Sequence, residues 1–548
     1  MSSVRRGRVL AAEGAAAHDA AAPGPAVLDA WRERALQAAV DAVRFPLTRL
    51  VRSVADRLTM RPTSVGLAML EVEVRDVVLA MGRDLLTELV RLRGTGAQGR
   101  SYVCPCGVRL RLKEVAPLQQ RTWFGTITLE RAVYAGAGCQ VRAHHVPLDA
   151  AWALLGAQAP GAGGATLPER DGGTLEAVAP GTGRRPARLA PAFAALVADY
   201  GARLPFAEAA GLLERALGAQ AHLSPTTVDT YTQAAGHARA QQEDARRVRT
   251  QPPTRAARRA VFEAPVPARP ATAPDTLVIS MDGALERTDD GWKEVKLGAV
   301  YELVTRRRPA ADTTPAPDTT PASGPVVRVP GETTYTATLA AAQDFGRQVL
   351  ATAQRRGLGW ARQVAVLGDG ARWIWKLAAR RVPQAIQIVD WYHAHEHLWA
   401  LAQLLYGEGT AAAWTWLETI AGELWVAQTA DDVASVATAA EEAWTTPRKD
   451  LPDDAPRRTQ ARHRTVTKAV AYFTTNASRL RYGAFRALEL PVGSGVVEGG
   501  CKSVLHTRLK RPGACWSAEG AEAMVRARGL LCSDPTLACA HPCDQLAC

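Results

Sequence analysis

VAVLGDGARWIWKLAARRVPQAIQIVDWYHAHEH, residues 364 to 397, decides how the chain is read. It scans as strand, turn, helix, strand, helix. Val364 to Leu367 is a short apolar run that stops at Gly368-Asp369-Gly370, so a carboxylate stands where a buried strand leaves its sheet, between glycines that allow close approach. A second run, Ile386 to Val389, again delivers an acid, Asp390, and His393 follows three residues later at a helix start.

Working outward, Leu277 to Met281 repeats the design, an apolar strand followed at once by Asp282 and Gly283. Lys296 to Val304 is expected as the second strand of a hairpin with it. Downstream, Pro491-Val492-Gly493-Ser494-Gly495 is a turn that places Glu498 at the beginning of a helix running to Lys510. Asp282, Asp369 and Glu498 are the candidate catalytic acids and metal ligands. Mg²⁺ prefers oxygen donors and is commonly held by a few carboxylates together with substrate phosphate. Two such ions can stabilise both the attacking and the leaving oxygen of a phosphoryl transfer. The competing use of an acid after a strand is to cap a helix or form a turn.

The order of motifs adds to this reading. SMDG, then WKEVKLGAVYEL (Trp292 to Leu303), LGDGARWIW, DWYHAHEHL and PVGSGVVEGGCKSVLHTRLKRPGACWS resemble the bacterial insertion-sequence transposases of the ISKra-four type, of the DDE class and Mutator-like branch. The likeness runs from about residue 100 to 532, with interruptions, and its last block is the most specific. It implies a ribonuclease H-like core with Asp282, Asp369 and Glu498 as the triad, and Mg²⁺ or Mn²⁺ as cofactor. Its DNA partners would be the element ends and the target, and the protein would act as a homo-oligomer on DNA. Asp390-Trp391-Tyr392-His393 resembles the [C/D]-x-x-H signature of related transposases, which implies that His393 lies near the active site. Two other readings stay open: an inactive or domesticated DNA-binding protein, and a ribonuclease H-like nuclease without transposition.

Composition agrees with a polyanionic partner. The chain has 548 residues, 47% hydrophobic, with a net charge of +12, and clustered Lys and Arg bind phosphates by releasing counterions. No apolar run is long enough to cross a membrane and no signal peptide is seen, so a cytoplasmic, nucleoid-associated protein is expected.

Along the chain, residues 1–25 read as disordered and 26–100 as helical, with patterns at Val27 to Phe45 and Ser64 to Leu92 that could pair as an α-hairpin. Residues 101–150 read as short strands punctuated by cysteines and resemble a zinc ribbon. Cys104, Cys106 and Cys139 are the candidate Zn²⁺ ligands, with His144 or His145 to complete a site. The spacing departs from the usual knuckle, because Cys104 and Cys106 are separated by one residue and Gly136 stands where a partner for Cys139 belongs. Residues 151–188 form a linker, and 189–245 a helix-turn-helix-like unit in which Ser224 caps a helix whose first position is Pro225. Thr226 and Thr227, with Asp229 and Thr230, are its candidate DNA contacts.

A basic linker, 246–274, precedes the core, whose first part is 275–396. Arg306 to Pro330 is a low-complexity surface insertion. An all-α insertion fills 397–490, the second part of the core is 491–532, and 533–548 is a tail with a loose Cys/His cluster. The 129 positions between Asp369 and Glu498 (498 − 369) exceed what a ribonuclease H-like sheet needs. Trp399, Trp414, Trp416, Trp425 and Trp444 are assigned mainly to packing in the insertion. His393 and His397 share a helix face, but Glu396 adjoins His397, which excludes the zinc-protease pattern. After Glu498, Lys502, His506, Arg508, Lys510 and Arg511 supply a basic face expected to contact DNA phosphates.

Overall fold

The computed structural model describes residues 67–104, 106–136, 144–151, 189–218, 221–250, 269–307, 326–445 and 460–533, with scattered positions from 33 to 56. The pattern Val27 to Phe45 lies largely outside them. So do Cys139, most of the 151–188 and 246–274 linkers, most of the low-complexity insertion and the C-terminal tail. The chain divides into two compact units, with the boundary between Thr232 and Gln233.

In the first unit, helix α1 (Leu67–Arg93) precedes an antiparallel sheet ordered β1 (Ser101–Val103), β2 (Arg109–Thr122), β3 (Gly125–Ala135), β4 (His144–His145). Strand β2 from Pro117 to Thr122 and strand β3 from Gly125 to Glu130 alternate between buried and more exposed residues, as a one-sided sheet should. Leu118, Ile127 and Leu129 on the buried side pack on Leu86 and Val90 of α1. The helix expected to pair in an α-hairpin thus spends its apolar stripe on a sheet. After the short α2 (Pro147–Ala151) come α3 (Pro191–Arg203), α4 (Phe206–Leu217) and the first turns of α5 (Pro225–Thr250), a helix that continues past Thr232 into the second unit. These last three close on Phe193, Val197, Leu213, Leu223 and Val228. Ser224 Oγ accepts from Thr227 N at 3.1 Å, so the expected cap is present. The helix it starts runs on to Thr250, beyond the expected boundary.

The second unit is built on a mixed five-stranded sheet, with β5 (Thr276–Thr288), β6 (Gly291–Arg307), β7 (Val326–Thr338), β8 (Gln363–Gly368) and β9 (Ile386–Val389) in the order β7-β6-β5-β8-β9. β5, β6 and β7 are antiparallel neighbours, while β8 and β9 join parallel to β5. Central β5 is covered on both faces, which is why Leu277, Val278 and Ile279 form an unbroken apolar run.

Register assigns the faces. Met281 lies opposite Gly298 and Asp282 opposite Leu297, and neighbours along a strand point to opposite sides. On the Gly298 side lies α6 (Ala342–Arg355), so close that a Cβ at Gly298 would meet Val349 Cγ2 at 2.7 Å. On the Leu297 side lies α13 (Gly495–Gly500), where a Cβ at Gly500 would meet Tyr335 Cε1 at 2.6 Å and Leu297 Cδ2 at 3.0 Å.

Helix α7 (Arg372–Arg381) connects β8 to β9. Beyond β9 the chain becomes helical through α8 (Trp391–Tyr406), α9 (Ala411–Val426), α10 (Ala430–Thr445), α11 (Gln460–Asn476) and α12 (Tyr482–Ala487). Trp391 braces this helical region against the sheet, its ring 4.7 Å from that of Trp425 and 5.0 Å from that of Tyr482. Tyr482 in turn donates its hydroxyl to the Val389 carbonyl at 3.1 Å. Trp399 meets Trp414 at 4.4 Å and Tyr406 meets Trp416 at 6.1 Å, so these rings pack on one another. After α13 the helix widens into a π segment (Cys501–His506), resumes as α14 (Thr507–Leu509), and α15 (Ala518–Ser533) closes the unit.

Candidate functional site

Asp282 is not at a strand end, as expected, but inside β5. The hairpin with β6 continues to Thr288, while the parallel pairing with β8 stops at Ser280↔Leu367. The acid therefore emerges where β8 gives out and the sheet opens on that side. Its register turns it toward α13 and the π segment, and its Oδ2 accepts from Cys501 Sγ at 3.3 Å. Oδ1 accepts from Gly283 N at 2.7 Å.

Asp369 follows the last residue of β8 directly, and its Oδ1 accepts from Ala371 N at 2.9 Å, organising the turn into α7. Gly370 needs to be glycine, since its φ is +102° and a Cβ would meet the Tyr472 ring at 2.9 Å. Asp390, after β9, is fully buried. Its Oδ1 accepts from His393 N at 2.9 Å, the N-cap bond of α8, and its Oδ2 accepts from Ser494 N. With Trp391 N donating to the Val492 carbonyl at 2.8 Å, this draws the 491–494 loop against the β9 exit.

Ser494 then completes a relay, because its Oγ donates to Glu498 Oε1 at 2.5 Å. Ligand atoms of Asp390, His393 and Glu498 all lie within 4.8 Å of one another. Among the described residues this is the group that closes so tightly; Asp282, Asp369 and Glu498 do not form one.

Electrostatics ties the two sets together. Burial pushes the Asp282 carboxyl up, the Gly283 N–H and the Cys501 thiol oppose this, Asp369 pushes it further up and His393 pulls it down. The Asp390 carboxylate lifts His393 to about 9 against the effect of burial, with Asp369 and Glu396 adding to the lift. His393 is thus a cation at neutral pH in the absence of metal, held 3.6 Å from Asp390 (Nδ1 to Oδ1). Burial drives the Cys501 thiol far up, and Asp282, Glu286 and Glu498 reinforce it. Asp390 itself stays below the ordinary carboxylate range, because the hydrogen bonds from His393 and Ser494 outweigh its burial.

The basic residues after Glu498 separate into two groups. Lys502, Lys510 and Arg511 are exposed. Arg508 is 4% exposed and stacks over the Trp516 ring at 5.4 Å, so it is a packing residue rather than the phosphate contact expected of it. The π segment precedes Arg508, Lys510 and Arg511, and its wider turn, closed by the Thr507 backbone N–H on the Lys502 carbonyl, shifts the phase of the residues that follow. Arg528 secures the segment by donating to the Ser503 carbonyl.

Near the start of α5, Thr226 is exposed but Thr227 is only 7% exposed, with its hydroxyl 2.9 Å from Ser224 Oγ. The cap turns Thr227 inward, and it cannot contact DNA in this conformation. Cys104 and Cys106 are joined as a disulfide, and Cys104 sits in a small core with Leu110, Ala132 and Tyr134. In that state neither sulfur is a thiolate donor for zinc, and the third candidate, Cys139, lies outside the described residues.

Sequence reasoning did not single out Ser494, Cys501 or Tyr472, and it gave Asp390 no ligand role. The Gly-Ser-Gly turn before Glu498 was the one visible signal for Ser494. Scanned against known families, the chain matches no family model, and no curated protein matches it.

Proposed function

We propose that the chain is a DDE-class DNA strand transferase, with a ribonuclease H-like core that cuts at insertion-sequence ends and joins the freed 3′ end to target DNA. The observation that carries this reading is an electrostatic link among acids carried by three different elements, Asp282 in β5, Asp369 after β8 and Glu498 in α13. Asp369 and Asp282 are close enough to raise the latter's pKa, and Cys501 feels both Asp282 and Glu498.

The donor set fits divalent magnesium or manganese. It is composed of carboxylate oxygens, and it holds a buried acid whose charge the protein leaves undercompensated. A triad that does not close within 4.8 Å is compatible with two ions rather than one. When bound, the ions would supply Lewis-acid stabilisation of the attacking and leaving oxygens. Asp282, Asp369 and Glu498 would hold them. Ser494 and Asp390 fix Glu498 and the helix start, and the His393 imidazolium faces a non-bridging phosphate oxygen. Lys502, Lys510 and Arg511 track the DNA backbone on either side.

The test is cleavage of duplexes bearing the element's terminal repeats with and without Mg²⁺, wild type against Asp369→Asn. Equal cutting by the two proteins would refute the assignment. Cutting of generic duplexes or hybrids with no requirement for repeat ends would instead support a ribonuclease H-like nuclease.

A further inference from the structure

Tyr392 stands between the buried cap Asp390 and His393 on the first turn of α8, yet it is 65% exposed. Its neighbours hold its backbone in place. Trp391 before it is held in the Trp425–Tyr482 cluster, and the N-cap bond fixes the turn. The ring is near Gly493 of the 491–494 loop, since a Cβ added there would come into ordinary contact with it, 3.5 Å from Tyr392 Cε2 and 3.9 Å from Cδ2. Its hydroxyl makes no hydrogen bond among the described residues. An exposed aromatic ring is therefore carried between Asp390 and His393, near the loop that leads to Glu498.

Exposing a ring in this way forfeits burial of apolar surface, and on most surfaces it would need no explanation. Here the setting supplies one. Asp282, Asp369, Asp390 and Glu498 create a negative field that opposes a phosphodiester, so a strand entering this site gains from an anchor that does not depend on charge. Stacking on a nucleobase is such an anchor, and every base has a π-face.

We propose that Tyr392 is the stacking platform for an unpaired DNA base adjoining the scissile phosphate. The proposal rests on the strand-transferase reading and adds to it a requirement that the reacting end be locally unpaired when bound.

The test uses the full-length chain without divalent ions and short single-stranded DNA oligonucleotides, each carrying one 2-aminopurine at a different position. Affinity and 2-aminopurine quenching are measured for wild type, Tyr392→Phe and Tyr392→Ala, with thermal melting to show that all three are folded. Tyr392→Ala is expected to bind roughly tenfold to hundredfold more weakly, the range for loss of one base–aromatic stack, and to lose quenching at one position. Tyr392→Phe should retain both. Equal affinity and quenching in the alanine variant would overturn the proposal. So would a phenylalanine variant as weak as alanine, since the hydroxyl and not the ring would then be responsible. Because the readout is binding without metal, a failed cleavage assay with normal Tyr392-dependent stacking counts against the transferase reading alone, whereas normal cleavage with no such dependence counts against the stacking alone.

Discussion

Replacing Asp390 by asparagine should uncouple the folding of the site from its charge. The wild-type carboxylate accepts two backbone N–H groups, from His393 and from Ser494, and faces the His393 ring 3.6 Å away. Asparagine has one acceptor oxygen, so its amide N–H₂ would confront one of the two donors. Loss of a cap costs about 0.5–2 kcal/mol, and a hydrogen bond to a charged group contributes about 1.5–3 kcal/mol, so a loss of about 2–5 kcal/mol is expected near pH 6.

The pH dependence follows from His393. Its pKa in the folded protein is raised to about 9 from an ordinary 6.5, so the stability it contributes is fully present below 6.5 and is lost as pH rises through about 9. Full conversion of that shift would give about 3 kcal/mol. The side chain is 37% exposed, and solvent screening reduces the contribution to about 1–2 kcal/mol. Denaturant unfolding of metal-free protein at pH 6 and pH 9.5 should therefore show the wild type losing this much while Asp390→Asn loses little. NMR of selectively labelled histidine, assigned with His393→Gln, reads the pKa directly. A wild-type His393 titrating near 6.5, or one unmoved by Asp390→Asn, would refute the reasoning.

Asp282→Asn should abolish Mg²⁺-dependent cleavage yet raise the stability of the metal-free protein at neutral pH. Its carboxyl is pushed up chiefly by burial, so the folded state disfavours the charge and loses stability as pH rises through that pKa; differential scanning calorimetry with and without Mg²⁺ checks both the sign and its reversal by the ion. Gly500→Ala should cost about 1–3 kcal/mol by overpacking α13 against Tyr335 and Leu297, and should depress cleavage by moving Glu498; denaturant titration and a cleavage assay read the two effects separately. In the native protein Cys515, which is exposed, should be alkylated by iodoacetamide at pH 8 while Cys501, buried and with its thiol pKa pushed far up, is alkylated only after unfolding; peptide mass mapping decides.

Where one side chain's neighbours are set by the strand that carries it, the sequence was sufficient to read them. The largely apolar runs at 277–281, 364–367 and 386–389 became β5, β8 and β9 because strands covered by helices are rich in apolar residues, and acids that end such runs are conspicuous. What the runs could not reveal was how far β5 extends past Asp282. That depends on β6 pairing with it after β8 has ended, a property of two strands together. The helices between 391 and 476 were legible from their periodicity for the same reason as the strands.

The errors among the basic residues have another origin. Arg508 was expected to face solvent on a regular helix, but the π segment from Cys501 to His506 changes the phase, and π-turns have no composition signal comparable to proline or glycine. Such segments occur often at functional sites, and this one lies between Glu498 and the exposed cations. Cys501, which donates to Asp282, stands at its first position and Glu498 precedes it, whereas Arg508 follows it and turns in over Trp516. The change of phase therefore falls on the basic residues and leaves the acid where an ordinary helix start puts it.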